Sequence, residues 1–134
     1  KAKELQKKLN IPDSQIEYLG WISGSLKERT FQEASIYCLP SWGEGFPMGI
    51  LDAWAYGIPV ITTPVGGITD VVKNDINGLI FQTYNLHELA ACIEKLIKSN
   101  DYRNKIVQEA DKLVQNEFNI ININKQLENI YSSL

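Results

Sequence analysis

The chain has 134 residues, 44% of them apolar, and 13 basic against 16 acidic side chains give a net charge of −3. That length suits one ordinary domain, and that apolar share can fill a core, which excludes a disordered chain. The mildly acidic balance excludes a nucleic-acid binder and a polybasic membrane anchor, since both need concentrated positive charge.

Taken in chain order, Lys1–Leu9 places Leu5 and Leu9 four apart and predicts a helix with its lysines on one solvated face. Ile16–Trp21 follows the Pro12-Asp13 turn signal and reads as a strand. Ser25 is placed to cap a helix over Leu26–Ala34, with Glu28 three positions on as in a capping box. Ser35–Leu39 reads as a strand ending at Pro40. Met48–Tyr56 reads as a helix closed by Gly57. Pro59–Thr63 is β-branched and apolar, a strand, and Ile68–Val72 a short helix. Gly78–Phe81 is a strand after the Asn77-Gly78 turn. Leu86–Lys98 carries a one-sided stripe of Leu86, Leu89, Ala90, Ile93, Leu96 and Ile97, and Tyr102–Gln115 repeats the pattern with Ile106, Val107, Ala110 and Leu113. At the end, the β-branched run Ile120–Ile123 favours a strand, whereas Asn119 is placed to cap a helix holding Leu127, Ile130, Tyr131 and Leu134. The helical spacing is the preferred reading. Short apolar strands alternating with helices predict an α/β fold with a mainly parallel sheet covered on both faces.

There is no internal repeat, no apolar run near the ~20 residues that span a bilayer, and no signal-peptide pattern. Cys38 and Cys92 lack CxxC spacing and histidine partners, so both read as buried, reduced core thiols, which implies a cytoplasmic compartment. Trp21, Trp42 and Trp54 read on their own as packing residues, and His87 as a surface residue at a helix start. The first residue is Lys1 rather than Met, so the chain is expected to be a piece of a longer protein.

The segment that carries chemistry runs from Pro40 to Phe81. A strand ends at Pro40, a loop with Gly43 and Gly45 follows, and a helix begins near Pro47, the residue type favoured at the first helical position. The Met48 and Gly49 amides would then be free donors at a helix N-terminus, an anion site at the carboxyl end of a parallel strand. Gly49 would let a phosphate approach the backbone. Two carboxylates bracket the turn, Glu44 before the helix and Asp52 within it. Carboxylates repel phosphates but accept hydrogen bonds from hydroxyls. Amides for phosphates beside carboxylates for hydroxyls describe a nucleotide-sugar site. The less specific readings are a solvent-facing loop acid for Glu44 and a helix-dipole acid for Asp52. A second glycine turn, Pro64-Val65-Gly66-Gly67, lies at the same sheet edge and lines the sugar end of the crevice.

Pro40-Ser41, Glu44-Gly45-Phe46-Pro47, Asp52-Ala53, Gly57-Ile58-Pro59-Val60-Ile61, Gly66-Gly67, Asp70-Val71-Val72 and Asn77-Gly78-Leu79 together resemble the C-terminal half of group 1 retaining glycosyltransferases of the GT-B fold. The resemblance extends from Ile16 to Tyr131. It implies a Rossmann-like parallel sheet with helices on both faces. It also implies that Glu44, the first acid of an E-x7-E motif, contacts the hydroxyls of the transferred sugar. Asp52 stands where the family has a glutamate that holds the ribose. Gly45, Phe46, Pro47, Met48 and Gly49 would border the sugar and diphosphate, Gly66 and Gly67 the crevice, and Trp21 and Ile22 the base. An Arg and a Lys that neutralise the diphosphate, and an acceptor-binding N-terminal domain, would lie upstream of Lys1.

The expectation is therefore a donor-binding domain, residues 1–134, of a two-domain enzyme that moves a sugar from a nucleotide-sugar to a glycan or lipid acceptor in polysaccharide or cell-surface biosynthesis. The isolated chain is expected to be inactive. No cofactor and no metal ion is expected, because no DxD-like acidic pair is present. Localisation would be cytoplasmic, compatible with peripheral contact at the inner face of a membrane. The rival readings are a non-catalytic nucleotide-binding module and a flavodoxin-like signalling domain. The latter needs an acidic cluster after an early strand, which this sequence lacks.

Overall fold

The computed structural model describes residues 1–133. It divides into two compact units, Lys1–Thr30 and Phe31–Leu134. Leu134, counted above in the last helical stripe, lies outside the described residues.

The first unit opens with α1, Ala2–Lys8. Buried Gln6 ties this helix to the turn after it, its Nε2 donating to Ile11 O at 3.2 Å and to Asp13 Oδ1 at 3.0 Å. A single 3-10 turn, Asp13–Gln15, follows the Pro12 signal. Backbone at Ile16 is extended (φ −135°, ψ 126°), yet the predicted strand Ile16–Trp21 joins no ladder among the described residues. An extended stretch becomes a strand only when a neighbour takes its N–H and C=O groups, and local sequence cannot supply that partner. Helix α2, Gly24–Glu33, begins one residue before the predicted Ser25 cap.

The second unit is built on β1 (Tyr37–Leu39), β2 (Val60–Thr62) and β3 (Leu79–Ile80), all parallel, in the order β1-β2-β3. Tyr37 lies opposite Val60, and Ile61 opposite Leu79. The connections carry α3 (Met48–Ala55) and α4 (Ile68–Val71); α5 (Leu86–Lys98), α6 (Asn100–Glu117) and α7 (Ile120–Ser132) follow. Successive side chains of a strand point to opposite faces. Val60 joins Ile50, Ala53, Trp54, Ile68 and Val71 on one face, while Ile61 joins Leu79, Phe81, Leu96 and Ile106 on the other. The central strand is buried throughout, as the continuous apolar run Pro59–Thr63 requires.

Helix boundaries follow local chemistry. Asn85 Oδ1 accepts from Glu88 N and Ser99 Oγ from Tyr102 N, capping α5 and α6. Gly57 takes a left-handed φ of +70° just beyond α3. The preferred helical reading of the C-terminus holds: Asn119 Oδ1 accepts from Ile121 N and Asn122 N at 2.9 and 3.1 Å, a cap that overrides the β-branched run.

The cysteines depart from expectation. Cys92 is half-buried and Cys38 is exposed. Cys38 stands on β1, which pairs on one side only among the described residues, so an apolar strand sequence there does not guarantee cover. Of the three tryptophans only Trp54 is packed in the core; Trp21 and Trp42 are 96% and 72% exposed, so neither is the packing residue expected.

Candidate functional site

Because the strands are parallel, their carboxyl ends share one edge, and the loops leaving it meet there. Two buried threonines at the end of β2 stitch that edge together. Thr62 Oγ1 donates to Leu39 O at 3.0 Å, and Thr63 Oγ1 to Ser41 O at 2.5 Å. Each hydroxyl crosses from β2 to the segment leaving β1, so the start of the Ser41–Pro47 loop is fixed by the sheet itself. Ser41 Oγ then donates to Glu44 Oε1 at 2.5 Å, orienting the half-buried carboxylate and engaging one of its two oxygens.

The two glycine turns are packed backbone on backbone. A Cβ on Gly66 would lie 1.8 Å from Glu44 O, and one on Gly67 would lie 2.2 Å from Gly45 O. Gly67 N donates to Gly45 O at 3.1 Å. Gly66 also takes φ +53°, a region that side chains disfavour. Both positions require glycine, and the reason is this contact between the loops. Glu44, Gly45, Gly66 and Gly67 are therefore brought together, as the sequence predicts.

Helix α3 starts at Met48, as the predicted span Met48–Tyr56 has it. Buried Pro47 is its N-cap, with φ −79° and ψ 88°, rather than its first helical residue. The first bond of the turn runs from Ile50 N to Pro47 O at 2.9 Å, so the Met48 and Gly49 amides precede it, at the positively polarised end. Packing beneath the helix also favours glycine at Gly49: a Cβ there would fall 2.3 Å from Tyr37 Oη. Asp52 is half-buried one turn further along α3. The Phe46 ring lies 5.7 Å from that of Phe118, though the residue remains exposed. Trp21 and Ile22 belong to the first unit, where Trp21 is exposed and Ile22 half-buried.

Sequence reasoning missed one feature of this edge. Trp42, in the loop after β1, meets Tyr84, in the turn after β3, with ring centroids 5.0 Å apart and planes inclined by 48°. The only signal was a tryptophan inside a glycine-rich loop; nothing in the sequence joined it to Tyr84. Among the described residues, no three His, Cys, Asp or Glu side chains gather at a point, and no helix is long and apolar enough to cross a membrane.

The family model for glycosyl transferases group 1 matches residues 1–113. The chain belongs to this family. An uncharacterized glycosyltransferase of Methanocaldococcus jannaschii is 28% identical over 87% of the chain and 30% of its own length. The capsular polysaccharide biosynthesis glycosyltransferase CapM of Staphylococcus aureus is 33% identical over 77% of the chain and 27% of its own length. The chain thus spans about a third or less of these curated relatives. The C-terminal domain of the group 1 protein LpcC from Francisella tularensis superposes with a TM-score of 0.76 at 30% identity, covering 89% of the chain and 63% of that one. HepE of Anabaena, solved with UDP, gives 0.87 at 24% identity over 99% of the chain and 37% of its own. The Rossmann-like C-terminal domain of a GT-B glycosyltransferase is therefore the fold, as the sequence motifs imply.

Proposed function

We propose that this chain is the donor-binding half of a retaining glycosyltransferase, the part that holds a nucleotide-sugar while the sugar passes to a glycan or lipid acceptor bound elsewhere in the whole protein. The observation that carries the reading is the interlocked edge: Gly66-Gly67 seated on Glu44-Gly45, with Ser41 holding the carboxylate beside the start of α3. Glu44 accepts hydrogen bonds from hydroxyls of the transferred sugar through the oxygen that Ser41 does not engage. Asp52 accepts from the ribose. The amides of Gly45, Phe46, Met48 and Gly49 face the charge that develops on the departing diphosphate, and Pro47, which has no N–H, sets the turn. Fixed dipoles aimed at developing charge stabilise a transition state without reorganising. Trp21 and Ile22 are assigned to the base, and no divalent ion is needed. The family membership supports this reading, as do the structures of HepE in complex with UDP, with UDP-glucose, and with UDP and glucose. CapM and the lipopolysaccharide 1,6-galactosyltransferase of Escherichia coli support a surface-glycan acceptor. Cytoplasmic placement, with peripheral contact at a membrane face, belongs to the same proposal.

Calorimetry with UDP, GDP and ADP tests it. One of the three should bind, equally well in EDTA and in magnesium. Asp52→Ala should weaken that diphosphate and its sugar conjugate alike, by about tenfold to a hundredfold for a lost charged hydrogen bond. Glu44→Gln should weaken only the sugar conjugate and lower turnover of the full-length protein. Asp52→Glu restores the family residue and should keep or improve affinity. Failure of all three diphosphates to bind overturns the reading, and a reversed pattern between Glu44 and Asp52 overturns their roles.

A further inference from the structure

The aromatic pair beyond Glu44 has no structural explanation of its own. Trp42 and Tyr84 are 72% and 75% exposed, so each ring is sheltered chiefly by the other. Tyr84 also takes φ +68°, a left-handed conformation rare for a bulky side chain. Such strain collects at ligand clamps, where the surroundings impose it. Here they do. Gln82 N donates to Glu88 Oε2 at 2.7 Å, Asn85 N donates to Gln82 O at 2.9 Å, and Asn85 caps α5. The turn is pinned on both sides of Tyr84, and Ser41 pins the loop on the other side of the pair. The two rings are thus held in contact while both stay largely exposed. Because β1 and β3 flank β2, Trp42 and Tyr84 meet across the carboxyl end of the central strand.

We infer that Trp42 and Tyr84 form a stacking platform for a pyranose ring of a saccharide, at the rim of the donor site. A pyranose presents a patch of axial C–H groups, those at C3 and C5 among them, on one face, and polarised C–H bonds are attracted to the negative face of an aromatic ring. Its hydroxyls point outward, where the Glu44 carboxylate, two residues from Trp42, and the Thr83 hydroxyl, next to Tyr84, can receive them. The placement of this rim rests on the donor-half reading; the platform itself rests only on the pair. The saccharide is either the acceptor or the transferred sugar. Saturation-transfer NMR on the chain with the methyl α-glycosides of glucose, galactose and mannose tests the inference. Transfer should be strongest to the axial ring protons. It should fall at least fivefold in Trp42→Ala and in Tyr84→Gly, the latter also relieving the backbone, and Trp42→Phe should restore most of it. Transfer that persists under saturating UDP-glucose assigns the platform to the acceptor; transfer displaced by UDP-glucose but not by UDP assigns it to the donor sugar. Absence of transfer from all three glycosides, or undiminished transfer in both variants, overturns the platform. UDP affinity in Trp42→Ala should match the parent chain. Loss of UDP binding with saccharide transfer intact would instead overturn the donor-half reading and leave the platform standing.

Discussion

At the carboxyl edge of the sheet, Gly66 and Gly67 rest on the carbonyls of Glu44 and Gly45 with no side chain between them. At the amino edge, the turn before β3 is filled by side chains that satisfy one another. Buried Asn77 donates through Nδ2 to Val71 O at 2.9 Å and accepts through Oδ1 from Lys73 N at 2.7 Å. Asn74 Oδ1 accepts from Ile80 N, and Asp75, in a left-handed φ of +61°, binds Lys95 and Tyr102 from the two following helices. Both edges are rigid, by opposite means. At the first edge Thr62, Thr63 and Ser41 also bond within the fold, while Ser41 engages the Glu44 carboxylate through one oxygen only. The second edge consumes its polar groups internally, which suits a structural turn. The difference separates a candidate site from a well-ordered loop on the same sheet.

The largest expected effect is at the glycine contact. Gly66→Ala puts a methyl into a carbonyl oxygen and adds a disfavoured φ. The edge should open, at a cost of about 2–4 kcal/mol in denaturant unfolding, with loss of nucleotide binding. If Gly66→Ala folds with unchanged stability, the interlock is not what holds this edge. Next comes Asn77→Ala, which leaves a buried carbonyl and amide unpaired. It should cost about 2–3 kcal/mol while leaving nucleotide affinity intact, since it acts at the other edge. A drop in both quantities would show that the two edges are coupled and blunt the contrast.

Much of this was legible in the sequence, and the limits have physical causes. The alternation of apolar runs and helical stripes located β1, β2, β3 and the helices α3 to α6 because those patterns record burial directly. Asn119 located α7 once its capping role was weighed against Ile120–Ile123. The Glu44 and Gly66-Gly67 segments were legible as motifs, but the reason for the glycines was not. A contact between residues 22 positions apart leaves no local trace, and neither does the Tyr37 phenol under Gly49. In the same way, Asn77-Gly78 signals a turn, yet the left-handed residue is Asp75. Gly78 is small because a Cβ there would lie 2.9 Å from Val72 Cγ1 and 3.3 Å from Val60 O. The exposed Trp42 and Tyr84 were missed because an aromatic residue usually signals a core. The exposed Cys38 was misjudged because strand composition does not tell which strand lies at an edge.

The smallest expected effect concerns Asp75, and pH gives its signature. Lys95 Nζ lies 2.5 Å from the carboxylate, with Tyr102 Oη donating to the same oxygen, and these two bonds hold the Asp75 carboxyl below its ordinary range. A carboxylate depressed in the folded state contributes stability above its unfolded pKa, about 3.9, and loses it as pH falls through the folded value. Lys95 works in the other direction. The Asp75 bond, then that of Tyr102, raises it, so its contribution is present below about 10.4 and fades as pH climbs through the folded value. The cluster is therefore worth most across the neutral range. Both partners are about half exposed, at 50% and 48%, so solvent screening limits the pair to a few tenths of a kcal/mol up to about 1. Asp75→Asn keeps a residue that tolerates the left-handed backbone while removing the charge. Unfolding at pH 7 should show that small loss, shrinking in high salt, and the two proteins should converge as pH falls through the folded value and the wild-type carboxyl is protonated as well. A stability difference that stays constant from pH 7 to pH 2 would mean that shape rather than charge holds the turn. A loss of nucleotide affinity in Asp75→Asn would mean that the amino edge reaches the site after all.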